Sequence, residues 1–305
     1  YLIVYFWFSL LTSPGFLIEK IEKLGKNKLL ATTSKVSDRP AGYVDNAAMK
    51  YALSFGSELK KWRAARRMSQ LSLSLEAEIS QRHIAFLELG RAQPSRTMIL
   101  KLAETLEVPL ANRNELLQSA GFSALFSHTP LDDERLAQVR AALRFMLERH
   151  MPYPAVVIDR YWNFVAANQT AMALFGLPGD HKNLLHFYSN TPGLADQFLN
   201  WPEIAHHLLA RLKREVGVSG GDDKLINLYT DTMESPVFQQ AKSPAEPSHS
   251  FAALIRMMRD GAELSLFSSI AQMGTTSVIS VSDLRIELFF PADTETDDFL
   301  QQFSD

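Results

Sequence analysis

Residues 69–90, SQLSLSLEAEISQRHIAFLELG, constrain the fold of this chain more than any other stretch. Ser69-Gln70 is a polar start to a short apolar-periodic run that breaks around Ala77-Glu78. Ser80 opens a second short run, which ends at Gly90. A serine hydroxyl in such a place accepts a hydrogen bond from a backbone N–H that the first helical turn leaves unpaired. The pattern predicts two short helices joined by a tight turn, the arrangement that presents side chains to a DNA groove. Leu73, Ala77, Ile84 and Leu87 fall at spacings that bury them together, leaving Gln81, Arg82 and Ala85 outward. Arginine pairs with O6 and N7 of guanine, and glutamine with N6 and N7 of adenine. Gln70 opens the preceding helix, where its amide and the local backbone N–H groups can grip a phosphate.

Three more helices complete a five-helix domain over 56–121. The first runs from about Gly56 to Arg67, with Leu59, Trp62 and Ala65 inward. The fourth follows Pro94-Ser95 from Arg96 to Leu106, with Met98, Leu102 and Leu106 on one stripe. The fifth, Asn114 to Ala120, stops at Gly121. This segment holds ten Lys/Arg against seven Asp/Glu, whereas residues 122–305 hold fourteen against twenty-three. A mildly basic half beside an acidic one fits nucleic-acid contact in the first and another task in the second. With no cysteine, disulfides, zinc fingers, iron–sulfur clusters and thiol catalysis are excluded.

Residues 1–48 begin YLIVYFWFSLL, too short to span a bilayer and interrupted by Thr12-Ser13-Pro14-Gly15. No positive charge precedes this run as a secretory signal requires. The segment reads as a disordered leader or start-site artefact, with Met49 as the start. A membrane or partner-binding leader is the alternative. The chain as a whole is expected to be cytoplasmic.

The second domain is read over 128–305. Leu131-Asp132-Asp133 opens a helix to about Arg149 with an apolar stripe of Leu136, Val139, Ala142, Leu143, Met146 and Leu147. Strands follow at Ala155–Asp159 and Asn163–Ala166 around a turn at Arg160-Tyr161, then a helix capped by Asn168 and ending near Phe175. Helices are expected at 200–216 and 223–233, with a flexible connection at Gly217–Gly221 and a loop at Ser243–Ser250. Strands are expected at Glu263–Ala271 and Val278–Phe290, the latter with Ile286, Leu288 and Phe290 alternating against Arg285, Glu287 and Phe289 to give one buried face. The fold class is therefore α+β, an all-α helix-turn-helix domain followed by a PAS-like domain with an antiparallel sheet.

On the residues SQ at 69–70, Leu73, ISQRHI at 79–84, LELGR at 87–91 and PS at 94–95, the first domain resembles the Xre-type, phage-repressor-like helix-turn-helix family. The resemblance implies that Gln70 holds phosphate and that Ser80, Gln81 and Arg82 touch bases, with His83 and Arg91 completing the DNA-binding set. It also implies a partly buried structural ion pair between Arg63 and Glu88. Two positions depart from the family: Glu78 stands where the turn usually has glycine, and Ser74 where a small residue is usual. Over 56–305 the chain resembles regulators that join this domain to an MmyB-like ligand-binding domain, on the blocks NELLQSAGF, PYPAVVIDRYWNFVAAN, NWPEIAHHLLARLKRE and ELSLFSSIAQMGTTSVISVSDLRIELFFPAD. That resemblance implies a PAS-like cavity for a small apolar ligand such as a fatty acid, and no other cofactor. An arginine expected near His186 is missing.

Trp162, Phe164, Met172, Phe175, Phe187, Tyr188 and Trp201 are the candidate walls of such a site, each weighed against a plain core role. His207 and Arg211, four apart on one helix face, are the candidate polar end for a carboxylate. The competing reading is a ligand-binding or metal-dependent enzyme carrying a degenerate helical appendage. Against it, adjacent His206-His207 point apart on a helix, and no HExxH, GxSxG, P-loop or dinucleotide motif occurs. No catalytic or metal residue is assigned. The expected partners are double-stranded DNA, the small ligand and a second copy in a homodimer, and no membrane.

Overall fold

The computed structural model describes residues 46–177, 183–239, 254–274 and 276–303. The leader expected at 1–48 lies outside them as far as residue 45, as does the loop expected at 243–250.

The first helix, α1, spans Asn46–Ala65 and so begins well before Gly56. Gly56 is a crossing point rather than a helix start. A Cβ there would come within 2.4 Å of the Leu87 carbonyl oxygen, so glycine lets α1 lie against the end of the third helix. Helices α2 (Gln70–Glu76) and α3 (Gln81–Glu88) are capped by Ser69 and Ser80, whose hydroxyls accept from the N–H groups of Ser72 and His83. Helix α4 (Arg96–Thr105) is capped in the same way by Ser95. Its buried stripe is Ile99, Leu102 and Leu106, with Met98 only partly covered. Helix α5 spans Leu110–Ser119, starting directly after Pro109. Asn114 pins the connector to the next domain. Its Oδ1 accepts from the N–H groups of Leu125 and Phe126, and its Nδ2 donates to the Phe126 carbonyl.

Between α2 and α3 the chain turns through Glu78 at φ 49°, a left-handed conformation that favours glycine. The Glu78 carboxylate pairs with Lys101 in solvent, a contact that contributes little. Glu78→Gly is therefore expected to raise the unfolding temperature of this domain by about 2–4 °C, measured by calorimetry.

The second domain opens with a single 3-10 turn, Glu134–Leu136, and helix α6, Ala137–Arg149. Strands β1 (Ala155–Ile158) and β2 (Phe164–Ala167) follow, then α7 (Gln169–Phe175) and α8 (Leu184–Asn190). Next come α9 (Trp201–Val218), α10 (Asp223–Glu234) and the short α11 (Pro236–Gln239). The chain ends with β3 (Leu254–Arg259), β4 (Ala262–Gln272), the one-turn α12 (Ile279–Ser282), β5 (Arg285–Pro291) and α13 (Thr294–Gln301). Among the described residues the strands form one antiparallel sheet of five, in the order β2-β1-β5-β4-β3. The chain is thus α+β.

Both faces of β1 are covered. Ala155 and Val157 of β1 pack with Ile286 against Leu143 and Leu147 of α6. Val156 and Ile158 turn to the larger core built with Trp162, Phe175, Phe289 and the helices α7 to α10. That corrects the expectation of one buried face on β5: Ile286, Glu287 and Phe289 are all buried, because β5 lies between β1 and β4 with helices on either side. The strand expected from Val278 starts only at Arg285, since 279–282 makes a turn of helix. Ala142 faces solvent rather than the stripe of α6. The connection expected to be flexible is partly helix, because α9 runs through Val218, and Ser219 and Gly220 are buried. Asn168 caps α7, its side chain accepting from the Ala171 N–H.

Candidate functional site

Ile84 and Leu87 of α3 are fully buried against α1 and α2, which turns the opposite side of α3 outward. Ser80, Gln81 and Arg82 are exposed there, as is Arg91 beyond the helix end. The Arg82 guanidinium lies over the Phe86 ring, 5.2 Å from its centroid, a contact that limits how far the side chain wanders. His83 is half-buried, and its Nε2 has no hydrogen-bond partner among the described residues. Ala85 is also only half-exposed.

Behind this face sits a charged knot. Arg63 Nε and Nη2 donate to the two Glu88 oxygens at 2.6 and 2.9 Å, and Nη1 donates to the Met68 carbonyl at 2.8 Å. Gln70 Nε2 donates to Glu88 Oε2 at 2.8 Å. The Glu88 side chain is only 4% exposed and that of Arg63 15%. Burial pushes the Glu88 carboxyl up, but the hydrogen bonds from Arg63 and Gln70 outweigh it and hold the group below its ordinary range. The hydrogen bonds that Arg63 donates to Glu88 raise Arg63 in turn. One carboxylate thus joins α1, α2 and α3 and fixes the amide of Gln70 at the start of α2. With its Nε2 committed inward, Gln70 keeps its carbonyl oxygen and second N–H for other contacts.

In the second domain the structure gathers the seven aromatic and methionine candidates on one core. Trp162, Phe175, Phe187 and Trp201 are buried in it, and Phe164, Met172 and Tyr188 pack partly buried against it. Tyr188 lies 5.7 Å from both the Phe187 and Trp201 rings, and Trp201 meets Phe238 edge-on. Burial pushes the Tyr188 hydroxyl far above its ordinary range, so it stays neutral. His207 is exposed by area, yet burial and the nearby charges of Arg214 and Arg211 push its imidazole below its ordinary value, while Arg211 points into the domain. There Arg211 bonds Glu287 of β5 and, at 3.2 Å, Glu215 of its own helix. Its guanidinium also stacks 4.3 Å above the Trp162 ring, whose Nε1 donates to Glu215 Oε2 at 2.8 Å. Arg211 Nη2 is buried and makes no hydrogen bond among the described residues. No group of three or more His, Asp or Glu that could hold a metal occurs among the described residues. No helix among them is long and apolar enough to cross a membrane.

Several residues escaped the sequence reading because their partners are far away in the chain. Glu215 and Glu287 carry no functional role in the sequence reading. Arg160, Asn112 and Asp222 meet across the two domains, with Arg160 Nη2 to Asp222 Oδ2 at 3.1 Å and Nη1 to Asn112 Oδ1 at 3.5 Å. No local pattern in the sequence marks Arg160 as buried; it reads as an ordinary turn residue, and only the structure shows it at 6% exposure.

Comparison with known proteins supplies the remaining evidence. The family model described as helix-turn-helix matches residues 59–111, and the model for the MmyB-like transcription regulator ligand binding domain matches residues 139–303. No curated protein matches the chain. A solved structure of an RNA-binding light-oxygen-voltage receptor matches at 14% identity, covering 96% of this chain and 68% of that one, with a TM-score of 0.25. So low a score carries no argument about function or fold. The pairing of an Xre-type helix-turn-helix with a regulator ligand-binding domain is that of a ligand-sensing, DNA-binding transcription regulator. Because the second model takes in more than half of the sequence, the chain belongs to the family that carries the MmyB-like transcription regulator ligand-binding domain.

Proposed function

We propose that this protein reads a specific double-stranded DNA sequence with the outer face of α3 and that its second domain senses a small apolar ligand of the fatty-acid kind. The observation that carries the DNA reading is the exposure of Gln81 and Arg82 on the first turn of a helix whose other side is locked into the core. In this reading Arg82 and Gln81 contact base edges, Ser80 and His83 contact bases or the adjacent backbone, and Gln70 and Arg91 hold phosphates. One such domain covers only a short half-site, so a homodimer on a paired site is part of the proposal. Selection from a random duplex pool with the full chain is expected to enrich a motif with two related half-sites. A pool that stays random after repeated rounds would overturn the reading.

The ligand reading rests on a large aromatic core around Trp162, Phe187, Tyr188 and Trp201, beside which Arg211 Nη2, like Ser189 Oγ and Arg285 Nη1, is buried without a hydrogen-bond partner among the described residues. A buried N–H without an acceptor is costly, and Arg211 Nη2 is such a group beside the apolar rings. An apolar ligand with an acceptor at one end answers both features. Arg211 is already bonded to two carboxylates, so a carboxylate head would have to share it with Glu215 and Glu287. Native mass spectrometry of the purified full chain is expected to show a bound species of a few hundred daltons, released on denaturation. A mass equal to the bare polypeptide, after incubation with myristate, would contradict it.

A further inference from the structure

We infer that the turn between α9 and α10, together with Arg160, is a coupling junction that passes the state of the buried Arg211–Glu287 pair to the DNA-binding helices. Its use in regulation rests on the function proposed above, although its geometry does not. Helix α9 presents Arg211, Glu215 and Val218 at successive turns of one face. At the first two of these it is tied to the sheet: Arg211 to Glu287, and Glu215 to Trp162 and, at 3.6 Å, to Arg285. Trp162 and Arg160 share the β1–β2 turn, which the Trp162 N–H closes by donating to the Asp159 carbonyl at 3.0 Å, so a shift of one is passed to the other.

The other end of α9 is seated on the first domain. Arg66 of the first domain donates through Nη1 to the Val218 carbonyl at 2.7 Å and through Nη2 to the Glu107 carbonyl at 2.9 Å. Gly220 lies under the Trp62 indole, where a Cβ would come within 2.5 Å of the ring. Trp62 is a core residue of the helix-turn-helix domain, packed with Leu59 and its neighbours, so the seam has no slack. Asp222, which caps α10, accepts from Arg160 and from the Tyr161 hydroxyl, both at 3.1 Å. Arg160 then reaches Asn112 of α5.

Charges of alternating sign therefore line one path. Glu287, Arg211, Glu215 and Arg285 occupy its sensor end, and Arg160 and Asp222 its interdomain end. Burial pushes the Asp283 carboxyl up, while the charges of Arg160 at one end and Arg285 at the other draw it down. A buried charge deprived of its partner is strongly unfavourable, so the members of such a chain move together. A ligand head group that takes Arg211 from Glu287 would shift α9, and the turn at its end bears on α1 and α5.

The test is hydrogen–deuterium exchange of the full chain as wild type, Glu287→Gln, Arg160→Gln and the double variant. Glu287→Gln is expected to speed exchange at 59–66 and 108–113 by ~5-fold or more, although residue 287 touches neither segment. Arg160→Gln is expected to loosen the same segments, and the double variant to be no looser there than Arg160→Gln alone. The inference fails if Glu287→Gln loosens only the second domain, or if the two effects add as independent ones do. Should Glu287→Gln speed exchange throughout the chain, Arg211→Lys gives the same readout with the charge retained. Duplex binding is measured separately: a wild-type chain that binds no duplex would defeat the DNA reading and leave the junction result standing.

Discussion

Glu88→Ala is expected to destabilise the helix-turn-helix domain by about 3 kcal/mol or more, because it strands a partly buried guanidinium. Arg63 would keep its bond to the Met68 carbonyl but lose both contacts to the carboxylate, and Gln70 would lose its anchor at the same time. The fall would appear in a urea titration as an earlier midpoint with an unchanged slope. Glu88→Gln should cost less, since an amide oxygen still accepts one bond. The pH dependence has a defined sign. The folded carboxyl is held below its ordinary value, so its contribution is complete above the unfolded-state value of about 4.3 and is lost as pH falls through the lower folded one. The Gln variant should lack that acid-side loss. An acid-side loss equal to wild type in Glu88→Gln would show that other groups cause it.

Asn168→Ala is expected to cost about 3–4 kcal/mol in the second domain, from one lost helix cap and the buried groups it leaves unpaired. The Asn168 Oδ1 accepts from the N–H of Ala155 at the start of β1 and from that of Ala171 in α7, at 3.1 and 3.0 Å. Its Nδ2 donates to the Tyr153 carbonyl at 2.7 Å and the Leu147 carbonyl at 3.3 Å. One side chain therefore joins the end of α6, the entry to β1 and the start of α7. Asn168→Asp keeps the acceptor and the cap but removes both donors, so its midpoint should fall between wild type and the alanine variant. An alanine variant with an unshifted midpoint would mean that other groups or solvent replace all four bonds.

What the sequence made legible was local. Ser69, Ser80, Ser95 and Asn168 each announce a helix start because the cap bond spans only two or three residues. The alternating and helical periods placed most strands and helices within a few residues, and hence the α+β class. Gly56 was misread because a glycine that opens a helix and one that lets two helices cross look alike until the partner is known. Strand β3 was missed because its Leu-Ile-Arg-Met-Met-Arg run at the sheet edge mixes long apolar and charged side chains without strict alternation. Helix α8 was missed as well, although Asn183 caps it, because it is only seven residues long and the apolar run it carries is too short to show a period. The reach of Arg160 to Asn112 and Asp222, and of Arg211 to Glu287, joins residues more than forty positions apart or across the sheet. No period or cap in a single sequence records such pairings.

The most direct test of the account is a fluorescence-anisotropy titration of wild type and Arg82→Ala with an enriched duplex and a scrambled one. The guanidinium is exposed and makes no ion pair among the described residues, only the contact with the Phe86 ring, so removing it should leave the fold intact. Arg82→Ala is expected to bind the enriched duplex ~1–3 kcal/mol more weakly, roughly 5- to 150-fold, with little change on the scrambled one. Equal weakening on both duplexes would contradict sequence reading by α3.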